Sequence, residues 1–315
     1  MTMQLGHTRR LTALSLIFVS SIFLPLTLTS CAQSSSNLGL ESSSSVTDSP
    51  ENTMETDNPI DDSTEIASSS TNATLWSNEF ATEDWQKAWE IKSKGKWGLE
   101  NTTVIEDLTG KFAKVLRVNY PASSASPSVS RKHDLPLGGA GFYGNLGMSP
   151  KDSLRLSYYV RFSENFNFVK GGKLPGLFGG STANGGNIPD GTDGFSTRFM
   201  WRRQGDGELY AYLPTSNNYG TSIGRGNWQF QPGVWHHLEQ EVILNEPGQE
   251  NGRVRVWVDG TEVLEEDGLT FRSVDELKLE GIFFSTFFGG GDPSWGTPKD
   301  VYVDFAEFSV TEVAP

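Results

Sequence analysis

The chain has 315 residues, a formal net charge of −14 and a single cysteine. One cysteine excludes an intramolecular disulfide and a zinc site built from several thiolates. The excess of acidic residues argues against nonspecific binding to nucleic acid, so we expect no nucleic-acid partner. The length is sufficient for one large or two small domains, which packing must hold together.

Residues 1–30 have the three zones of a secretory signal. Two arginines supply positive charge, a mostly apolar run follows, and Ser30 precedes Cys31. This order resembles a bacterial lipoprotein signal, which implies cleavage before Cys31 and attachment of a lipid to its thiol. An uncleaved signal anchor is the alternative, because the apolar run approaches the length that spans a bilayer. We therefore expect an exported lipoprotein that Cys31 anchors at the outer membrane, at its periplasmic face or at the cell surface.

The composition of residues 31–73 predicts a disordered tether that begins at the lipidated cysteine. Between residues 32 and 73 there are twelve serines, five threonines and eight acids, with no lysine, arginine or aromatic residue. Such a segment cannot bury enough apolar surface to offset the entropy of ordering it. Its like charges extend it, so we expect it to hold a domain away from the membrane.

The sequence pattern of residues 74–315 predicts one all-β domain. Short stretches in which apolar and polar residues alternate are separated by Gly, Pro, Asn and Asp, and Asp259-Gly260 is typical of a tight hairpin. The predicted strands are 114–120, 154–162, 195–203, 209–213, 234–243, 253–258, 261–264, 277–287 and 301–310. At least nine strands without a long helical stripe predict a jelly-roll β-sandwich. One curved sheet of such a fold offers a concave substrate groove that suits an extended polymer.

The segment 170–203 differs from the rest of the domain in charge. It contains five basic residues and two acidic ones, whereas residues 74–315 as a whole carry a net charge of −8. A local basic site in an acidic protein indicates an anionic ligand, which Lys170 and Arg202 are expected to contact. The alternative is an ordinary surface strand with solvated bases.

Alternation places several polar side chains on one face of two neighbouring predicted strands. The first strand presents Ser196, Arg198, Met200 and Arg202 on one side, and the second strand presents Glu208, Tyr210 and Tyr212. Both apolar faces must meet the same core. A turn centred near Gly205 would then place Arg198 opposite Tyr212 and Met200 opposite Tyr210. The pattern predicts one patch formed by Ser196, Arg198, Tyr210 and Tyr212.

Three motifs in chain order resemble those of polysaccharide lyase family 14, which contains alginate and glucuronan lyases. They are the sequence KGGKLPGL at 170–177, Ser-Thr-Arg at 196–198 and Tyr-Ala-Tyr at 210–212. Weaker likeness at 233–237, 256–260 and 287–290 extends the resemblance over most of residues 75–315. The resemblance implies a β-jelly roll that cleaves uronate polymers by β-elimination. The catalytic residues that it implies are Lys173, Ser196, Arg198, Tyr210 and Tyr212.

The chemistry of elimination suits these residue types. Removal of the weakly acidic C5 proton of a uronate requires neutralisation of the adjacent carboxylate, a role that suits Arg198, with Lys173 as a second cation. We expect these cations to lower the pKa of Tyr210 or Tyr212, so that one of them acts as the base. The other tyrosine, or Lys173, would be the acid, and Ser196 would donate a hydrogen bond to substrate.

A glycoside hydrolase on a similar sandwich is one alternative. It needs two carboxylates, and Glu239 and Glu241 share a strand face about 6.6 Å apart. Adjacent His236 and His237 point to opposite faces of that strand and cannot ligate one metal.

A noncatalytic carbohydrate-binding or adhesion lipoprotein is the other alternative, because it would keep the groove and the basic patch. A binding module has no evident need for two tyrosines beside two cations. We therefore predict a monomeric polysaccharide lyase that acts on an acidic polysaccharide and needs neither a cofactor nor a metal ion.

Overall fold

The computed structural model describes residues 73–82, 84–181 and 183–314. The predicted signal, Cys31 and almost all of the predicted tether lie outside these ranges. Among the described residues, no helix combines the length and the apolar character that a membrane span requires.

The described part of the chain forms fourteen strands and two short α-helices. The strands are β1 (Thr74–Asn78), β2 (Thr102–Glu106), β3 (Lys114–Tyr120), β4 (Ala140–Gly144), β5 (Ser153–Phe162), β6 (Gly171–Gly180), β7 (Gly194–Arg202), β8 (Gly207–Tyr212), β9 (Thr221–Ile223), β10 (Trp235–Ile243), β11 (Gly252–Val258), β12 (Thr261–Leu269), β13 (Gly281–Phe288) and β14 (Val301–Glu312). The helices are α1 (Trp85–Ala88) and α2 (Pro127–Lys132), and 3₁₀ turns lie at Leu99–Asn101, Arg203–Gly205 and Pro293–Trp295.

The strands form two antiparallel sheets that pack as a jelly-roll β-sandwich. The larger sheet has the order β12-β11-β10-β5-β14-β3-β2, with β1 also paired to β14, and the smaller sheet has the order β4-β13-β6-β7-β8-β9. The predicted all-β fold is confirmed, and all nine predicted strands are present. The sequence pattern did not indicate β1, β2, β4, β6 or β9, most of which are short or rich in glycine.

Alternating side chains determine which face of each sheet is buried. Leu156, Tyr158 and Val160 on β5 are fully buried in the core, and the polar residues between them lie on the outer face of the larger sheet. On β7, Phe199 and Trp201 are likewise fully buried. Because both apolar faces meet in the core, the charged residues and tyrosines of β7 and β8 lie on the outer face of the smaller sheet.

Strand β6 shows why a glycine-rich segment forms the middle of a sheet. A Cβ atom on Gly172 would lie 2.0 Å from the Trp201 ring, and one on Gly176 would lie 1.9 Å from the Thr197 carbonyl oxygen. These glycines therefore allow neighbouring groups to approach closely. The pairing with β7 shifts between Lys173 and Gly176, and this irregularity accommodates the intervening proline. Lys173 thus lies on a strand that the alternation pattern did not predict.

The predicted register of β7 and β8 is wrong by two residues. Arg198 lies opposite Tyr210, Ser196 opposite Tyr212 and Met200 opposite Glu208. The connecting turn is centred one residue earlier than predicted. Alternation fixes only the parity of the pairing, so a shift by two residues keeps every side chain on its face.

Candidate active site

All five predicted catalytic residues lie on the outer face of the smaller sheet. Lys173 on β6 pairs with Met200 on β7, while Arg198 and Ser196 pair with the two tyrosines of β8. Three adjacent strands therefore bring the five side chains together. The predicted patch is present. Only the cross-strand partners of its residues differ from the predicted ones, because of the shift in register.

Arg198 is a buried cation without a carboxylate partner among the described residues. It is 2% exposed, and its guanidinium carbon lies 4.6 Å from the centre of the Phe283 ring. Nη1 donates to Ser285 Oγ at 3.1 Å, whereas the buried Nε has no hydrogen-bond partner. Burial lowers the pKa of Arg198. Because unpaired buried charge is costly, the site favours an anion that enters from outside.

Lys173 is also buried without an acidic partner among the described residues. Its side chain is 8% exposed, and Nζ lies 2.7 Å from Met200 Sδ and 3.7 Å from the centre of the Tyr210 ring. Burial, together with the positive charges of Arg198 and Arg202, holds the pKa of Lys173 well below its ordinary value. Burial therefore favours the free amine more than it would be favoured in an exposed lysine, and a free amine can accept a proton.

Tyr210 behaves oppositely to the expectation from sequence. Burial and the neighbouring Tyr212 raise the pKa of Tyr210 to about 12, despite the opposing effect of Arg202 and Arg198. The lowering that the sequence suggested for one of the two tyrosines does not occur at Tyr210, because desolvation of its phenolate outweighs attraction to the nearby cations. Tyr210 is therefore held as a protonated phenol that can donate a proton.

Ser196 and Tyr212 contact the segment that connects β6 to β7. Ser196 Oγ donates to the Ala183 carbonyl oxygen at 2.7 Å, and the Gly186 amide donates to the Tyr212 hydroxyl at 3.2 Å. The hydroxyl hydrogen of Ser196 is thus already used, whereas the sequence suggested a donor to substrate. These contacts position the connecting segment at one end of the patch.

The two predicted substrate-binding residues occupy different surroundings. Arg202 lies on the outer face of β7, where its Nε donates to Glu208 Oε1 at 2.8 Å. Lys170 precedes β6, donates to Ser294 and lies 5.8 Å from the centre of the Trp295 ring. Arg202 therefore borders the patch directly, and Lys170 contacts none of the five predicted catalytic side chains.

Sequence reasoning missed three residues that complete the patch, namely Gly176, Phe283 and Ser285. Alternation did place Met200 and Glu208 on this face, although neither was predicted as a site residue. No local signal could have found Phe283 and Ser285, because β13 reaches the patch through long-range pairing with β6.

The carboxylates expected in a glycoside hydrolase lie on the opposite side of the sandwich. Glu241 on β10 is buried beneath two arginines: Arg155 Nη2 donates to Oε2 at 2.8 Å and Arg255 Nε donates to Oε1 at 3.0 Å. Glu239 lies 3.8 Å from Arg155. Both glutamates are therefore engaged in ion pairs of the larger sheet, which removes the structural support for this alternative.

The adjacent histidines point to opposite faces, as predicted. His236 is buried and contacts Asp259, with 3.0 Å between Nδ1 and Oδ2, while His237 stacks on Tyr159 at 4.3 Å. No group of three or more metal-ligating side chains comes together in the described ranges.

Comparisons with known proteins show the family to which this chain belongs. The family model described as polysaccharide lyase 14 matches residues 109–308. Among solved structures, the marine PL-14 alginate lyase from Aplysia kurodai is 33% identical with a TM-score of 0.67, and the match covers 76% of this chain and 100% of that one. No curated protein sequence matches the chain.

Two further structures share the fold at lower identity. The alginate lyase from Chlorella virus is 24% identical with a TM-score of 0.58, over 75% of this chain and 100% of that one. The endo-β-1,4-glucuronan lyase from the fungus Trichoderma reesei is 15% identical with a TM-score of 0.52, over 76% of this chain and 96% of that one. The match to the family model, the identity to the Aplysia enzyme and the arrangement of the patch lead to one conclusion: this chain belongs to polysaccharide lyase family 14 and is a polysaccharide lyase.

Proposed function

We propose that this lyase cleaves a 4-linked polyuronate by β-elimination and releases chains that end in an unsaturated uronate. The observation that carries the proposal is the buried guanidinium of Arg198, which has no carboxylate partner among the described residues and lies beside the buried amine of Lys173. A fold retains such residues at a cost in stability. The carboxylate of a uronate would supply the missing partner.

Arg198 is placed to neutralise the carboxylate of the sugar that loses its proton. Charge develops on that carboxylate as the C5 proton leaves, and a fixed cation in a water-poor site stabilises it more than water would. Gly176 lies between Arg198 and Phe283 in the sheet. Because it has no side chain, the guanidinium can extend over it towards Ser285.

Lys173 acts as the base in this proposal. Its free amine removes the C5 proton, and the electrons of the C5–H bond form a double bond between C5 and C4. The bond between C4 and the glycosidic oxygen breaks at the same time. The lowered pKa of Lys173 makes the free amine available at a pH where an ordinary lysine is protonated.

Tyr210 acts as the acid. Its phenol gives a proton to the departing glycosidic oxygen, which becomes the new reducing end of the other fragment. The ring lies 3.7 Å from Lys173 Nζ, so the proton gained by the amine can return to the phenolate after the products leave. One proton is taken and one is given, and the enzyme is restored.

Alginate is the first substrate to test, because the Aplysia enzyme, at 33% identity, is an alginate lyase. The full-length protein is incubated with polymannuronate, polyguluronate and glucuronan, and the ultraviolet absorbance of the new double bond is followed. We expect a rise on at least one polymer, and no rise with Arg198→Ala. Absence of any rise, with the polymers still retarding the protein in a gel, would favour a noncatalytic binding protein.

We also propose that the lyase is exported and held on a membrane through a lipid on Cys31. The proposal is supported by the charged, apolar and small-residue zones of residues 1–30. Membrane fractionation of cells that express wild type or Cys31→Ser tests it. The wild type should sediment with membranes and the variant should not, and identical distributions would contradict it.

A further inference from the structure

A buried carboxylate beside the proposed acid holds two arginines together. Glu208 lies on β8 two residues before Tyr210 and is 0% exposed. Its Oε1 accepts from Arg202 Nε at 2.8 Å, and its Oε2 accepts from Arg225 Nε at 2.5 Å. Burial alone would raise the pKa of Glu208, but hydrogen bonds from Arg202, Ser222 and Arg225 hold it below its ordinary value. We call Glu208, Arg202 and Arg225 the Glu208 cluster.

The Glu208 cluster has one more positive charge than negative charge. Two guanidiniums share one carboxylate, and in the described part of the chain neither has another carboxylate within 4.0 Å. The side chain of Arg225 is 51% exposed. Arg225 therefore presents unused N–H donors to solvent, where an anion could accept from them.

The cluster cannot serve the same carboxylate as Arg198. Arg198 and Arg202 are four residues apart on β7, which separates their backbones by about 13 Å. Their side chains also diverge, since Arg198 reaches Ser285 on β13 while Arg202 reaches Glu208 on β8. One sugar unit carries a single carboxylate, so an anion bound at the cluster must belong to another unit.

The proposed acid and base lie between these two cationic centres. Tyr210 is the cross-strand neighbour of Arg198, and its ring centre lies 5.5 Å from the Arg202 guanidinium and 3.7 Å from Lys173 Nζ. A polyuronate that crosses the patch with one carboxylate at Arg198 would pass Lys173 and Tyr210 and then approach the cluster. Its repeating charge would meet a second cationic centre there.

We propose that Arg225 and Arg202, held by the buried carboxylate of Glu208, form a second carboxylate-binding site that takes another uronate unit of the same polymer. The proposal rests on the proposed function, because it assumes a polyuronate substrate. In it, Glu208 is a positioning residue and Arg225 determines affinity without taking part in the chemistry.

The test compares Arg225→Gln with Arg253→Gln in the full-length protein. Arg253 lies on the outer face of the larger sheet, between the buried residues Gly252 and Val254 of β11, so the two variants have equal net charge and change opposite sides of the sandwich. Binding is measured as retardation in gels that contain polymannuronate, polyguluronate or glucuronan. Initial rates from ultraviolet absorbance give KM and kcat.

We expect Arg225→Gln to raise KM or the apparent Kd about tenfold, the equivalent of one charge-assisted hydrogen bond. The value of kcat should stay within about twofold, because the acid and base side chains are unchanged and Arg225 is a minor influence on the pKa of Lys173. Arg225→Lys should recover part of the affinity, and Arg253→Gln should match wild type. Added salt should weaken binding less in Arg225→Gln than in wild type, because one ionic contact is already missing.

Equal KM and equal retardation for the two glutamine variants would overturn the proposal. A fall in kcat at unchanged KM would also overturn it, because Arg225 would then act in the chemical step. Failure of the proposed function has a different signature, since no polymer would then give an absorbance rise with wild type. The gel measurement still decides the second site in that case, because it needs no turnover.

Discussion

Replacement of Arg198 by methionine tests whether the fold sacrifices stability for its site. Arg198 is 2% exposed and has no carboxylate partner among the described residues. The cost of burying an unpaired charge is several kcal/mol. The contact with the Phe283 ring offsets roughly 2 kcal/mol of this cost, and the hydrogen bond to Ser285 offsets about 1.5–3 kcal/mol. Methionine removes the charge and adds about 1.5–3 kcal/mol of apolar burial.

We therefore expect Arg198→Met to stabilise the unliganded protein by about 1–2 kcal/mol, which raises Tm by about 2–8 °C in a domain of this size. Activity should fall by a factor of about 10² to 10³, as when one preorganised electrostatic group is removed. Calorimetry gives Tm, and the ultraviolet absorbance of the unsaturated product gives kcat.

Arg272→Met is the matched control. Arg272 is equally buried, but it donates to Asp152 Oδ1 at 2.6 Å and to the carbonyl oxygens of Asn245 and Leu277 at 2.9 and 3.0 Å. Its loss removes the side-chain donor from two buried carbonyl oxygens and leaves Asp152 with Lys278 as its remaining cation, so we expect a destabilisation of about 2–4 kcal/mol. A fall in Tm for Arg198→Met as large as that for Arg272→Met would refute the view that Arg198 awaits an external carboxylate.

Three further predictions concern the proposed acid, the proposed base and the close approach of strands. Tyr210→Phe should lower kcat by a factor of about 10² to 10⁴. Tyr212→Phe should lower kcat less, because the Tyr212 hydroxyl accepts a hydrogen bond from the Gly186 amide. Equal losses for the two variants would contradict the assignment of Tyr210 as the acid. In a pH series, kcat/KM should rise as Lys173 loses its proton, with an apparent pKa below the ordinary lysine value of about 10.4. It should fall again as the pH approaches about 12, the pKa of Tyr210. A rise with an apparent pKa at the ordinary lysine value would rule out the buried amine as the base. Gly176→Ala should lower Tm and activity together, with a loss of about 1–3 kcal/mol in stability. The reason is that the Cβ of the new alanine would lie 2.6 Å from the Arg198 Cα. An unchanged Tm would show that β6 can move away from β7.

The sequence predicted which residues form the patch better than it predicted how they behave. Alternation on β7 and β8 correctly placed Arg198 and Tyr210 on the outer face, because the period of a strand depends only on the local backbone. The register between the strands depends on the geometry of one turn, and the prediction missed it by two residues. The protonation of Lys173 and Tyr210 depends on how much of each side chain other strands cover, which no local pattern contains.

Some features were fixed by the sequence alone and others only by the assembled fold. The order of apolar and polar residues and the turn signals determined an all-β domain, because each strand must bury one face. The family motifs indicated Lys173, although the alternation pattern did not predict its strand. Only the tertiary structure brought Ser285 to Arg198 and Arg225 to Glu208, because these pairs are 87 and 17 residues apart in the chain. Contacts of this kind arise from the pairing of whole strands, and burial within them sets the charge of the groups that carry the chemistry.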